Sequence, residues 1–233
     1  MKIREAADRC LEYHKANSKK CTLEGYRFVL EKLSAILGDR DVESISPDEV
    51  LSFLNLLSEG RKQATKRSRY ANLSAFFTFM SHSYQPGLPN PCDSAILRKI
   101  FRAARYPQWE MLEKETVDEV IFKIPKPRDR LIVELMARGG LRVSEVLKLR
   151  GRDVEDRKLI LRDPKSGREE EVVFIPQKVA HRLWEYIRVR AIGPEDRVFP
   201  ITYGAARMLV RKAGRRVGLE LRPHDLRRHA ATY

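Results

Sequence analysis

Apolar residues recur at helical spacing through most of the chain. Between residues 22 and 37 they fall at Tyr26, Val29, Leu30, Leu33, Ile36 and Leu37. That is one stripe of an amphipathic helix, which Thr22 can cap and Gly38 can end in a left-handed turn. Ser46-Pro47-Asp48-Glu49 is a capping box with proline at the first helical position, and it opens a helix carrying Val50, Phe53, Leu54 and Leu57. Another stripe, Leu73, Phe76, Phe77 and Met80, follows a polar stretch at 61–70, and QPGLPNP at 85–91 then breaks the chain. The pattern predicts a small all-helical bundle over residues 1–104.

Residues 102–112, with Pro107 and mixed charge, read as a linker to a second domain over 113–233. Thr116-x-x-Glu119 is a second capping box, ahead of Val117, Val120, Ile121 and Ile124. Leu131, Ile132, Leu135 and Met136 form the next stripe. Gly139-Gly140 stops it, and Leu141–Leu149 begins another helix. The period then changes: Leu159-Ile160-Leu161 and Val172-Val173-Phe174-Ile175 flank a Pro/Ser/Gly turn, which reads as a β-hairpin. Helix returns over 177–190, with Ala180, Leu183, Trp184 and Ile187 facing inward; Trp184 and Phe76 both read as core. Thr202 caps a helix running to Val217, and Pro223-His224 begins a last one. The predicted fold class is mainly α: a helical bundle, then a mainly helical domain with a small β-hairpin sheet.

Composition narrows the partners. The 233 residues hold 46 Lys+Arg against 32 Asp+Glu, a net charge of +14. A chain this basic meets phosphate, on nucleic acid or on an anionic membrane surface. No apolar run approaches the ~20 residues that span a bilayer, and the N-terminus lacks the apolar core of a signal peptide. Nucleic acid is therefore favoured over membrane. Cys10, Cys21 and Cys92 are odd in number and irregular in spacing, with no histidine pair beside them. They fit neither a disulfide framework nor a zinc site, and read as packing residues of a reduced, cytoplasmic protein. The positive charge concentrates twice. Residues 61–70 carry Arg61, Lys62, Lys66, Arg67 and Arg69 with no acid, and helical spacing puts Lys62, Lys66 and Arg69 roughly on one side. Residues 207–229 carry eight Arg/Lys, including Arg207, Arg211 and Arg215, against Glu220 and Asp225.

Ordinary catalytic templates are missing: there is no P-loop, no HExxH, no GxSxG and no two-metal carboxylate cluster. What remains is a set of cationic and imidazole residues at special positions. Arg142 follows the Gly-Gly break, Lys165 sits at the hairpin tip, and His224 and Arg227 share a helix face three residues apart. Such a set suits charge stabilisation on a phosphate without a metal, with arginines gripping non-bridging oxygens and Lys or His protonating a leaving oxygen. Taken alone, each has an ordinary reading too: Arg142 a surface ion pair, Lys165 a solvated loop lysine, His224 a helix-terminal histidine.

Two stretches carry a specific resemblance. ARGGLRVSEVLKLRGRDV, residues 137–154, resembles the first conserved box of the tyrosine recombinases, the phage-integrase and Xer-like family; RPHDLRRHAAT, residues 222–232, resembles the second. A lysine-bearing hairpin falls between them. The N-terminal helical half, residues 1–104, is similar to the family's SAM-like core-binding domain in Thr22-x-x-x-Tyr26, the basic helix ahead of LSAFFTFM, and Asn90-Pro91. The resemblance implies a two-domain clamp around double-stranded DNA and site-specific recombination through a 3′-phosphotyrosyl intermediate, with strand exchange in a tetramer and no cofactor or metal. It gives Arg142 and Arg227 the scissile phosphate, Lys165 the leaving 5′-oxygen, His224 a part in proton transfer, and Glu145 a supporting place beside Arg142. Arg228 stands where the family often has His, with His229 one residue later. In the family a later segment supplies the nucleophilic tyrosine. Tyr233 is too close to Arg227 for that role, so the expectation is a chain cut short, which binds DNA without cleaving it alone and self-associates on DNA only at full length. A type IB topoisomerase, or a non-catalytic DNA-binding regulator, would use much the same residues, and a metal-dependent nuclease is a more distant alternative.

Overall fold

The computed structural model describes residues 1–103, 111–162 and 169–232. The chain divides into two compact units, Met1–Pro107 and Gln108–Tyr233.

The first unit holds α1 (Ile3–Asn17), α2 (Lys20–Leu37), α3 (Pro47–Leu57), α4 (Gln63–Ser83) and α5 (Ala95–Ile100). Its core is built from the predicted stripes: Val29, Leu30 and Leu33 of α2, Val50, Phe53 and Leu54 of α3, and Leu73, Phe76, Phe77 and Met80 of α4. The Ser46 capping box forms in full. Ser46 Oγ accepts the Glu49 N–H at 3.2 Å, and Glu49 accepts the Ser46 N–H at 3.0 Å. Two expectations are corrected here. Lys19, not Thr22, stands at the start of α2, and Gly38 stays right-handed at φ −59°. A side chain at Gly38 would meet the Ser34 carbonyl and Arg4, so the residue serves the docking of α1, where Arg4 donates its N–H to the Gly38 carbonyl at 3.2 Å. Cys10 and Cys92 are packing residues whose thiols burial pushes up to about 12, whereas Cys21 is exposed.

The second unit holds α6 (Lys114–Phe122), α7 (Pro127–Arg138), α8 (Val143–Lys148), the strands β1 (Val154–Glu155), β2 (Lys158–Arg162) and β3 (Glu170–Phe174), then α9 (Gln177–Val189), α10 (Tyr203–Arg215) and α11 (Pro223–Ala230). The predicted hairpin is β2–β3, antiparallel with Leu159 opposite Val173 and Arg162 opposite Glu170. β1 extends it to a three-stranded sheet in the order β1-β2-β3. The hairpin tip, Lys165 included, lies outside the described residues. The Thr116 box does not form. α6 begins one turn earlier, after Glu113, so Thr116 is inside the helix and Glu119 pairs with Lys123 at 2.6 Å. Trp184 is 42% exposed rather than core. It flanks the stripe of Val179, Ala180, Leu183 and Ile187 that α9 buries.

Two glycines set the geometry of this unit. Gly140 adopts φ +65°, a conformation that costs other residues about 1–2 kcal/mol, and it turns the chain sharply between α7 and α8. Gly214 lets the following turn close on α10: a Cβ there would lie 2.5 Å from that of Leu221. No helix among the described residues is long and apolar enough to cross a membrane.

Candidate phosphate site and nucleic-acid interface

The site is assembled around one carboxylate. The turn at Gly139-Gly140 places Arg142 at the start of α8 in extended conformation (φ −71°, ψ 147°). Glu145, one turn in, accepts the free Arg142 backbone N–H at 2.7 Å, which caps the helix. Its other oxygen accepts from the Arg142 guanidinium at 2.6 Å. α11 packs against α7, and the Ala230 methyl would lie 3.6 Å from a Cβ at Gly140. That packing brings Arg227 to the same carboxylate, 3.4 Å from its Nη1 to Glu145 Oε2. Glu145 is 7% exposed in its side chain, whereas the guanidiniums of Arg142 and Arg227 remain partly open. Two cations on one buried anion leave a surplus positive charge at an open face, with N–H donors in the forked geometry that fits phosphate oxygens.

Around this centre the predicted residues divide. Arg227, not Arg228, makes the ion pair with Glu145. His229 is buried, and its Nδ1 lies 3.0 Å from the Leu112 carbonyl, tying α11 to the segment that enters the unit. His224 is exposed on the first turn of α11, where Asp225 accepts the Arg222 N–H at 2.9 Å. A cavity of about 210 Å³ opens beside Glu145 and is walled by Lys148, Arg150, Asp153 and Arg162. Asp153, buried, accepts from Arg162 at 2.8 Å and from the Arg150 backbone N–H at 3.0 Å. Arg162 also reaches Glu170 across the hairpin at 2.5 Å. The last described residue of β2 is thereby held to both its partner strand and the segment after α8. Sequence reading missed this network; the signal was Asp153 three residues after Arg150, the spacing that also relates Glu145 to Arg142. Among the described residues no group of three or more His, Cys, Asp or Glu could hold a metal ion.

The basic segments are also sorted by geometry. Arg207, Arg211 and Arg215 are exposed at intervals of one turn along α10. In the first unit Arg61, Lys62 and Arg67 are exposed, but Lys66 and Arg69 lie on the side of α4 that leads to Leu73, Phe76 and Met80. Arg69 is engaged within the unit: its guanidinium donates to the Leu57 carbonyl and sits 4.7 Å from the centre of the Phe28 ring. Burial, with Arg61 nearby, lowers its pKa from the usual value. Arg67 instead lines a groove of about 590 Å³ with Arg98 and Arg102, floored by the small residues Ala71, Ser74, Ala75 and Thr78. Small side chains on the floor let a backbone come close. Arg98 and Arg102 belong, with Lys99 and Arg105, to a second acid-free basic stretch that the reading of the sequence passed over. The expected contrast is sharp. Arg67→Ala should weaken duplex binding about 8-fold at ~0.1 M salt, the counterion-release value of one phosphate contact, and leave stability unchanged. Arg69→Ala should lower stability by about 1–2 kcal/mol through its lost hydrogen bond and ring contact. Gel-shift titration and urea denaturation of both variants check this, and equal behaviour of the two would contradict it.

A mainly helical chain of two units, with two arginine boxes closed on one glutamate beside a hairpin, has the fold of solved integrases. A lambda integrase dimer bound to a core site superposes with a TM-score of 0.75 at 18% identity, covering 100% of this chain and 89% of that one. The Tn1549 transposon integrase in complex with transposon right-end DNA gives 0.77 at 18% identity, covering 100% and 86%. The phage integrase family model matches residues 110–233, and the chain belongs to this family of tyrosine recombinases. Among curated relatives, tyrosine recombinase XerC of Haemophilus influenzae is 30% identical over 232 residues, 91% of this chain and 76% of that protein. Tyrosine recombinase XerA of Saccharolobus solfataricus is 28% identical over 173 residues, 73% of this chain and 54% of that protein.

Proposed function

We propose that this chain provides the duplex-binding surfaces and the phosphate-gripping centre of a site-specific DNA recombinase. The observation that carries the reading is the convergence of Arg142 and Arg227, from boxes far apart in sequence, on Glu145. In this reading the two guanidiniums hold the non-bridging oxygens of the scissile phosphate. They stabilise the extra negative charge of its five-coordinate transition state, and Glu145 fixes their orientation. A tyrosine phenolate attacks phosphorus, the bond to the 5′-oxygen breaks, and Lys165, which falls between β2 and β3 in sequence, supplies that oxygen's proton, with His224 assisting proton transfer at the nucleophile. The bond energy is kept in the 3′-phosphotyrosyl link, so neither ATP nor a metal takes part. None of the 233 residues is assigned as the nucleophile, so this chain by itself binds double-stranded DNA without cutting it. The helical ladder Arg207, Arg211 and Arg215, and the α4 groove with Arg67, supply backbone contacts on the second and first units. The solved relatives include a lambda integrase dimer bound to DNA and a lambda integrase tetramer bound to a Holliday junction; assembly on DNA belongs to the same reading.

The test is the salt dependence of duplex binding. Arg142→Ala and Arg227→Ala should each flatten the slope of log K against log salt by about 0.9, one phosphate contact apiece, with modest loss of affinity. An unchanged slope and affinity in both variants would remove these arginines from the DNA site.

A further inference from the structure

A second cavity of the second unit is larger than the one beside Glu145. A groove of about 1110 Å³ runs between the start of α7, the outer face of α9 and the chain at 190–200. α7 is twelve residues long, roughly 18 Å at 1.5 Å per residue. Its far end leads to Arg142, and Arg197 lines both the groove and the cavity beside Glu145. None of the roles assigned above uses it.

Its chemistry is two-sided. Lys126, Arg128, Arg130, Arg182, Arg190 and Arg197 line it, against Glu185 as the one acid in the lining. Between them lie Pro125, Leu131, Tyr186, Val189 and Ile192. Val189 is 70% exposed, a branched apolar side chain left in water at the rim. The cations differ in how they are held, and Arg128 is paired with Asp129 at 2.8 Å. Arg182 is locked by both oxygens of buried Glu134, at 2.6 and 3.1 Å, and Arg130 is locked by the Ile124 carbonyl at 2.9 Å. Such side chains present fixed donors at little further cost in entropy. Lys126 and Arg197 have no side-chain partner among the described residues, and Arg190 only rests near the Tyr186 ring, 6.0 Å from its centre.

We propose that this groove docks an acidic segment of a partner protein, anchored by an apolar side chain. Charge complementarity selects the carboxylates, and the apolar floor selects a polypeptide over a nucleic acid. A phosphate backbone would be met by the cations alone and would leave Val189, Pro125 and Pro127, all exposed, uncovered. A Tyr and Arg rim around an apolar floor is the composition of protein interfaces. The docking site stands independently of the recombinase reading, because it uses neither Arg142 nor Arg227.

The probe is a fluorescein-labelled peptide with a central Phe-Leu pair between runs of glutamate, titrated by anisotropy against the whole chain. Polyglutamate and a short DNA duplex serve as comparison ligands. The peptide should bind more tightly than polyglutamate, and its amide-resonance shifts by NMR should centre on Tyr186 and Val189. Val189→Glu, and Lys126→Glu with Arg190→Glu, should each weaken the peptide about tenfold or more, roughly the effect of losing one good contact. Duplex affinity should be unchanged in both. These positions are at the surface, and unchanged circular dichroism would show the fold intact. Equal binding of polyglutamate, competition by the duplex at the groove, or full binding by the variants would overturn the proposal. Self-association of the wild-type chain that Val189→Glu abolishes would assign the groove to a second copy instead.

Discussion

Removing all three arginines of the α10 ladder, Arg207→Ala with Arg211→Ala and Arg215→Ala, should weaken duplex binding on the order of 500-fold at ~0.1 M salt. The figure follows from counterion release: each phosphate contact contributes about 0.9 to the salt slope, so three contribute about 2.7. The ladder suits this because its members are exposed at successive turns of one helix, while Ala206, Val210 and Ala213 face the core. Alanine is the best helix former, so the triple variant should keep its fold. Titrations at several salt concentrations separate the outcomes. A slope flatter by about 2.7 places the ladder on the DNA backbone. A slope unchanged from wild type would take α10 off the DNA.

Glu145→Ala should destabilise the second unit by about 3 kcal/mol, the lower end for breaking a buried ion pair, because the two arginines are partly open and can rehydrate. Part of the loss is the helix cap, typically about 1 kcal/mol. Glu145→Gln separates the contributions. An amide oxygen can still accept the Arg142 N–H, but the charge between the guanidiniums is gone, so Gln should cost less than Ala and still more than nothing. Urea denaturation measures both. Glu145→Ala within about 0.5 kcal/mol of wild type, the usual range for a surface change, would show that the carboxylate does not hold the two arginines.

The helices were legible wherever an apolar stripe met its own core. Val29, Leu30 and Leu33 are buried where their spacing puts them, and the Ser46 box forms because both of its hydrogen bonds are local. The Thr116 box obeys the same local rule and fails, because α6 has already begun where the chain enters past Leu112, whose carbonyl His229 contacts from the far end of the unit. Trp184 sits at the margin of a stripe, where periodicity cannot tell an inward ring from an exposed one. β1 has two residues, too few to show alternation. At the site, the boxes located Arg142, Glu145 and Arg227, and the structure brings these three together. Arg69 could not be told from its basic neighbours, since its partners Leu57 and Phe28 come from other helices. Arg98 and Arg102 stand in a short basic stretch of their own, RKIFRAAR at 98–105, and only the packing of the folded unit puts them beside Arg67.

The link between Glu145 and Arg227 spans 82 residues, and it fixes when the centre can exist during folding. α8 can cap itself as soon as Arg142 and Glu145 are made, because those contacts lie within one turn. The second arginine arrives only when α11 has docked on α7, and long-range closures of this kind come late. A nascent or partly unfolded chain therefore has one arginine on its glutamate and lacks the second. On the proposed function, engagement of the phosphate would be confined to molecules whose second unit has folded through to α11, and a chain caught midway in synthesis would not occupy DNA in that manner.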